Sequence, residues 1–328
     1  MSRRGSALGA AIAALFVLLA TIPAAGETDV DYAGVVREKY LYNTDPAIDA
    51  SVSDTRIELD IGIGELTIGA VYRAYLLSND GYNPAGVTGD PIRIKHRYIA
   101  LVHDDILLRA GHFFETFGHG LTLRSFEDVD LEYDTALDGL LADYSAGHVV
   151  PFLGDVSVTA LTGTATHDVP GTAYYDYVVN AARVAMPVSE YGEIAGSVVE
   201  RSETQKDEEV SLPDDAAKSK DAVVGYELSV WMGPLALAGE YASRHSNGET
   251  SGHALYGSGT LDLGWVTLFG ELKDYEDYDY YMVNPPTAVR DHLWTLMNRA
   301  TYEIDLNDER GFLIEGSAPV GDAAYLLG

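Results

Sequence analysis

An alternation of apolar and polar residues with a period of two, repeated in short segments from Arg56 onward, is the feature that most constrains this chain. In Arg56 to Ile63, the apolar Ile57, Leu59, Ile61 and Ile63 alternate with Arg56, Glu58 and Asp60. Successive side chains of a strand point to opposite faces, so the segment makes a ribbon with one oily and one ionic side. Leu66, Ile68, Ala70, Tyr72, Ala74 and Leu76 continue the oily side beyond Gly62 and Gly64, and the two segments read as an antiparallel hairpin. The pattern returns in Arg93 to His103 with Ile106 to Phe114 across Asp104 and Asp105, and in Val156 to Thr164 and Ala173 to Met186. After a charged stretch from Ser202 to Asp221 it resumes in Ala222 to Trp231, Leu235 to Arg244, His253 to Leu261 and Trp265 to Tyr275.

Segments of about ten residues match the tilted crossing length of a bilayer. Tight joints such as Gly233-Pro234 on one side, with long polar connections on the other, are the arrangement of outer-membrane barrels. The expected fold is therefore all-β: an antiparallel transmembrane β-barrel of about 14 to 16 visible strands, one domain over residues 27–328. Its ionic side, with Arg56, Glu58, Asp60, Arg73, Arg93, Lys95, Arg97, Arg109, Glu227, Glu271 and Lys273, is expected to face a lumen, because a dry core could not hold these charges. A soluble exported β-rich binding protein with one sheet face in bulk water explains the same alternation. The 22 tyrosines favour the barrel, with Tyr174, Tyr175 and Tyr177, and Tyr278, Tyr280 and Tyr281, as candidate girdles at the membrane boundary. The chain stops at Gly328, just inside another alternating segment, an ending that a truncated barrel would show.

The N-terminus addresses the chain to that compartment. Arg3 and Arg4 precede an uncharged apolar run from Ala7 to Ala20, then Pro23, Ala24, Ala25 and Gly26, the layout of a signal peptide over residues 1–26. There are no cysteines, so disulfides and thiolate zinc sites are excluded. Without Arg3 and Arg4 the chain carries 19 basic against 51 acidic residues, a balance that repels phosphate polymers and excludes nucleic acid as a partner. Outer-membrane lipid and a small solute or oligosaccharide are the partners that fit.

One region breaks the alternation, Ala110 to Tyr144. Gly111, Phe113, Phe114, Glu115, Thr116, Phe117 and Gly118 lead into Gly120, Leu121, Leu123, Arg124 and Ser125, then an acidic stretch that closes on Leu137, Asp138 and Gly139. Near the end Asn284, Pro285, Pro286 and Thr287 precede Leu293 to Arg299 and Asn307, Asp308, Glu309 and Gly311. In both places, and in this order, the chain resembles a family of uncharacterised bacterial outer-membrane β-barrel proteins. The early motif is similar, more distantly, to alginate-export-type porins, from which it departs by having His112 and Phe113 where Arg and Gln would stand. The resemblance implies a barrel and no established activity.

Glycines on both sides of His119 permit sharp turns. Arg124 stands close in sequence to Glu127, Asp128, Asp130 and Asp134, so residues 118–138 are expected to fold inward and hold an Arg-carboxylate network. Glu115, His119, Arg124, Glu127, Asp128 and Asp138 are the candidates, either locking a loop to the wall or forming a constriction that filters solutes by charge. No nucleophile elbow, phosphate loop, dinucleotide fingerprint or helical metal pair is present, so neither an enzyme, a cofactor nor a metal is expected. Mass spectrometry of the exported protein is expected to find Glu27 as its first residue; a mature chain retaining residues 1–26 would make the leader an anchor instead.

Overall fold

The computed structural model describes residues 30–43, 51–78, 92–129, 133–147, 155–167, 175–205, 220–246, 249–278, 308–320 and 324–327. The leader, Asp130 and nearly all of the late Asn-Pro-Pro-Thr region lie outside them. The first strands are β1 (Val30–Tyr42), β2 (Ser51–Ile63), β3 (Leu66–Leu77), β4 (Ile92–His103) and β5 (Ile106–Phe113). Four short ones follow: β6 (Thr116–Phe117), β7 (Leu123–Arg124), β8 (Glu127–Asp128) and β9 (Tyr133–Asp134). Long strands resume with β10 (Leu137–Ala146), β11 (Val156–His167), β12 (Tyr175–Ser189), β13 (Gly192–Gln205) and β14 (Lys220–Met232). The last are β15 (Leu235–Ser246), β16 (Glu249–Asp262), β17 (Thr267–Glu276), β18 (Asp308–Val320) and β19 (Ala324–Leu327).

Fifteen of these form a single antiparallel sheet in which each strand pairs with its neighbour in sequence, except that β5 pairs directly with β10. The break in the alternation is thus shorter than the sequence implied, since β10 resumes the pattern at Leu137. β6 pairs with β7 and β8 with β9, so residues 114–129 and 133–136 form a separate braced segment rather than wall. Two-residue turns join β2 to β3, β4 to β5, β12 to β13 and β14 to β15 at one end of the sheet. The opposite end carries the connections through 79–91, 206–219 and 279–307, and the inner segment enters from that end. Among the described residues, β1 and β19 are the two edges.

The two faces differ as the alternation requires. Ile94, Ile99, Leu101, Leu108, Leu140, Val198, Leu228, Leu255 and Leu272 are exposed on the outer face, with Tyr144, Tyr191, Trp231 and Trp265 near the tight-turn end. An apolar belt this continuous is far larger than a soluble monomer ordinarily shows to water. Inside, the tightest packing joins Phe113, Phe117, Leu121, Leu123 and Leu137 to Leu161, Val179, Val199, Val223, Ala242, Tyr256 and Tyr275. The inner face is therefore ionic on β2 to β4, while on β11 to β17 apolar residues share it with buried charges such as Arg183, Arg201, Asp221, Glu227, Glu240 and Lys273, and the inner segment lies against both. That segment meets strands from β2 to β16, so the sheet curls around it.

Three expectations are corrected. Arg97 does not face inward: the register passes from Val71 opposite His96 to Tyr72 opposite Ile94, and this bulge at Lys95 turns Lys95 and His96 inward together. From Arg97 onward the phase is reversed, and its side chain, 63% exposed, falls in the outer row with Ile99 and Leu101. Tyr177 and Tyr278 are not girdle residues, since both are buried in the interior.

Candidate lumen site

The inner segment braces itself before it meets the wall. The Glu115 amide donates to Ser125 Oγ at 2.7 Å and the Ser125 amide donates to the Glu115 carbonyl at 2.9 Å. Thr135 repeats the arrangement on Phe126, accepting its amide at 2.9 Å and donating its own to the Phe126 carbonyl at 3.0 Å. Buried Ser125 and Thr135 thereby satisfy backbone groups that no ladder reaches.

Its acidic end is held by cations of the wall. Arg56 of β2 donates to both oxygens of Glu127, at 2.5 and 2.7 Å, and Lys95 of β4 reaches Glu127 at 2.5 Å and Asp134 at 3.2 Å. His96 Nε2 lies 2.8 Å from Asp134, and Glu58 continues the network between Arg56 at 2.8 Å and Arg37 at 2.9 Å. Burial opposes the charge on Glu127 and Asp134, but Arg56 and Lys95 on the first, and His96 and Lys95 on the second, outweigh it. Both carboxyls are therefore held below the ordinary range. His96, Glu127 and Asp134 offer three possible metal ligands within 4.8 Å of one another, yet the Lys95 ammonium already sits between the two carboxylates. A divalent ion would have to displace it.

The apolar end is held by the opposite wall. Gly118 and Gly120 take positive φ values of 54° and 88°, and a Cβ on Gly118 would come within 2.7 Å of Glu227 and Glu240. This turn lets the His119 amide donate to Glu240 Oε2 at 2.5 Å, with Glu240 buried in β15. Glu227 is occupied by a bidentate pair with Arg183 at 2.9 and 2.7 Å. Tyr278 donates its hydroxyl to the Leu121 carbonyl at 2.6 Å, and Ser197 Oγ lies 3.2 Å from Thr122 Oγ1.

Of the residues singled out in the sequence, Glu127 lies at the centre of the ionic network. Glu115 is half-buried on the segment, where burial pushes its carboxyl up. His119 packs its ring 4.9 Å from Tyr256, and burial, partly offset by Glu227 and Glu271, pushes its imidazole down. Arg124 lies on β7 with its guanidinium 5.4 Å from the Phe126 ring, and Asp128 pairs with Tyr133 in the β8–β9 ladder. Asp138 is not brought to this cluster: it shares the outer row of β10 with Leu140 and pairs there with Arg97 at 3.2 Å. Sequence proximity pointed to Arg124 as the cation of the network, whereas the cations that hold Glu127 come from strands more than 30 positions away.

Glu127→Ala would leave Arg56 with Glu58 alone and Lys95 with Asp134 alone, at a cost of about 1–3 kcal/mol for the lost charge-assisted hydrogen bonds, read as a lower Tm. Because both carboxyls titrate lower when folded, their contribution is complete above about pH 4, the unfolded value, and is lost as pH falls through the folded values. Hydrogen exchange over residues 123–136 should stay constant from pH 7 to 5 after correction for intrinsic rates and accelerate only in stronger acid; protection lost already at pH 5 would refute the assignment.

Among solved structures the chain is similar to Wzi of Escherichia coli, an outer-membrane protein involved in group 1 capsule assembly and described as a carbohydrate-binding β-barrel. The two share 11% identity and a TM-score of 0.46, over 88% of this chain and 65% of Wzi, so the chain spans less than two thirds of that protein. It is also similar to Salmonella typhi OmpF, with 8% identity and a TM-score of 0.41 over 92% of this chain and 88% of that one. No curated protein matches its sequence. A family model does match, over residues 10–315, and the chain belongs to that family, DUF6029, a family of unknown function.

Proposed function

We propose that this protein is an outer-membrane β-barrel that admits small polar solutes through a porin-like passage narrowed by its inner segment, along the β2–β5 side of the lumen. The observation that carries this reading is the division of the interior. Toward β10 to β17 the segment is packed closely, by Phe117, Leu121 and Leu123 in the apolar cluster and by His119 and Thr122 on Glu240 and Ser197, whereas on the other side a cavity of about 370 Å³ is lined by Arg37, Arg56, Glu58, Tyr98, Arg109 and Glu127 among others. Ionic groups replace part of a solute's hydration, which an apolar channel cannot do. The apolar outer belt supports a bilayer as its surroundings and weighs against a soluble exported binding protein. A leader peptide at residues 1–26 would deliver it there.

A structural role in the envelope is the second reading, favoured by the dry packing of Phe117, Leu121 and Leu123, which fixes the segment in place. Two measurements separate the readings. The protein should partition with outer-membrane detergent extracts and migrate differently before and after boiling; recovery in the soluble periplasm would sink both. In planar bilayers the wild type should give small conductance steps that Glu127→Ala enlarges. Folded protein that inserts yet conducts in neither form would leave the structural role.

A further inference from the structure

We infer that the lumen cavity is a binding site for a small organic monoanion, a carboxylate on a compact apolar or ring-shaped body, with Arg109 as the group that takes its charge. The inference deepens the passage reading, because the site lies on the proposed path.

Arg109 differs from the other guanidiniums of the cavity in how it is held. Arg56 and Arg37 are used by Glu58, and Arg56 also by Glu127. Arg109 instead sits over the Tyr98 ring, its guanidinium carbon 3.7 Å from the ring centroid, and its Nε donates to the His112 carbonyl at 3.0 Å. No carboxylate among the described residues forms an ion pair with it, so its two terminal nitrogens keep their donors for a ligand. The platform is itself fixed. A Cβ on Gly69 would come within 2.1 Å of Tyr98 Cε1, so only glycine lets the ring lie across β3, and the Tyr98 hydroxyl donates to Asp60 at 2.7 Å. A guanidinium held by stacking and by one backbone acceptor loses little freedom when it binds, and its planar fork matches a carboxylate.

Charge and shape narrow the ligand. Of the three guanidiniums that line the cavity, Arg37 and Arg56 are paired with Glu58 and Glu127, so Arg109 alone meets one negative charge, and a second would face Glu58 and Glu127. Phe114 and Val129 of the inner segment and Val71 of the wall give the cavity an apolar side, with the Phe114 ring 5.5 Å from and edge-on to His96. The volume, about 370 Å³, falls within the roughly 300–1,000 Å³ of small-molecule sites.

The test is calorimetric titration of the full-length protein, folded in detergent, with benzoate and with benzamide, its uncharged analogue of the same shape. Wild type should bind benzoate at least about tenfold more tightly than benzamide. Arg109→Gln should lower benzoate affinity to the benzamide level, while Arg310→Gln, on the outer face, should leave it unchanged. Equal affinity for the two probes, no binding of benzoate, or full benzoate affinity in Arg109→Gln would each overturn the site. Should Arg109→Gln lose its heat-modifiable mobility and so fail to fold, the wild-type comparison still decides. Protein that binds benzoate but conducts no current would refute the passage and keep the site; protein that conducts without binding benzoate would refute the site alone.

Discussion

A wide antiparallel sheet that turns its apolar side chains outward must find partners for its inner face, and this requirement governs the interior. Barrels of about eight strands can fill their own interior with side chains, but wider ones cannot. Fifteen strands curl here around a space that residues 114–129 and 133–136 occupy. The segment suits its position because it is amphipathic in the same sense as the wall it touches. Phe117, Leu121 and Leu123 meet the apolar wall, while Glu127 and Asp134 meet Arg56, Lys95 and His96. Neither half would suffice alone. Apolar packing without the ionic half would leave Lys95 of β4 without its carboxylates and Arg56 of β2 with Glu58 alone, and ion pairing without the apolar half would leave Leu161, Val179, Val199 and Val223 facing water.

The ionic half also explains a local irregularity of the wall. A strand in strict alternation presents one of any two adjacent residues to the interior, yet Asp134 is met by both Lys95 and His96. The bulge in β4 makes this possible by turning both inward. Its consequence appears on the other surface, where the reversed phase moves Arg97 to the outer row and brings it to Asp138. The inner network and the outer pair thus follow from the same extra residue.

Much of the wall was legible in the sequence because a period of two survives any uncertainty about which strands pair. β2, β3 and β15 to β17 follow the alternating segments closely. β1, β10, β13 and β18 were less visible: β10 lies partly within the acidic stretch, and its first inward residues are Leu137, Gly139 and Leu141, with a charge only at Asp143. The bulge left a trace that strict periodicity overlooked. Arg93 and Lys95 share parity with Ile99 and Leu101, which cannot all face one way. Residues 114–136 were recognisable as a departure, and Glu127 as a chemically distinctive member of it. Their partners were not, since Arg56 is 71 positions from Glu127 and Glu240 is 121 from His119. Local sequence shows which charges need a partner, while only the closure of the sheet shows which one is near.

The net charge of −30 gives the cation-rich cavity a particular meaning. A strongly acidic protein repels anions at long range, but this field is screened over about 8–10 Å at physiological ionic strength. Contact with a stacked, partly desolvated guanidinium acts at shorter range and in a lower dielectric, where it is screened much less. The two effects therefore act on different steps: the acidic exterior lowers the rate at which any anion arrives, and Arg109 governs how long one stays. In the passage proposed above, discrimination would come from residence inside rather than from attraction from outside. Such discrimination needs a rigid recognition group, which Gly69, Tyr98 and the His112 carbonyl supply for Arg109.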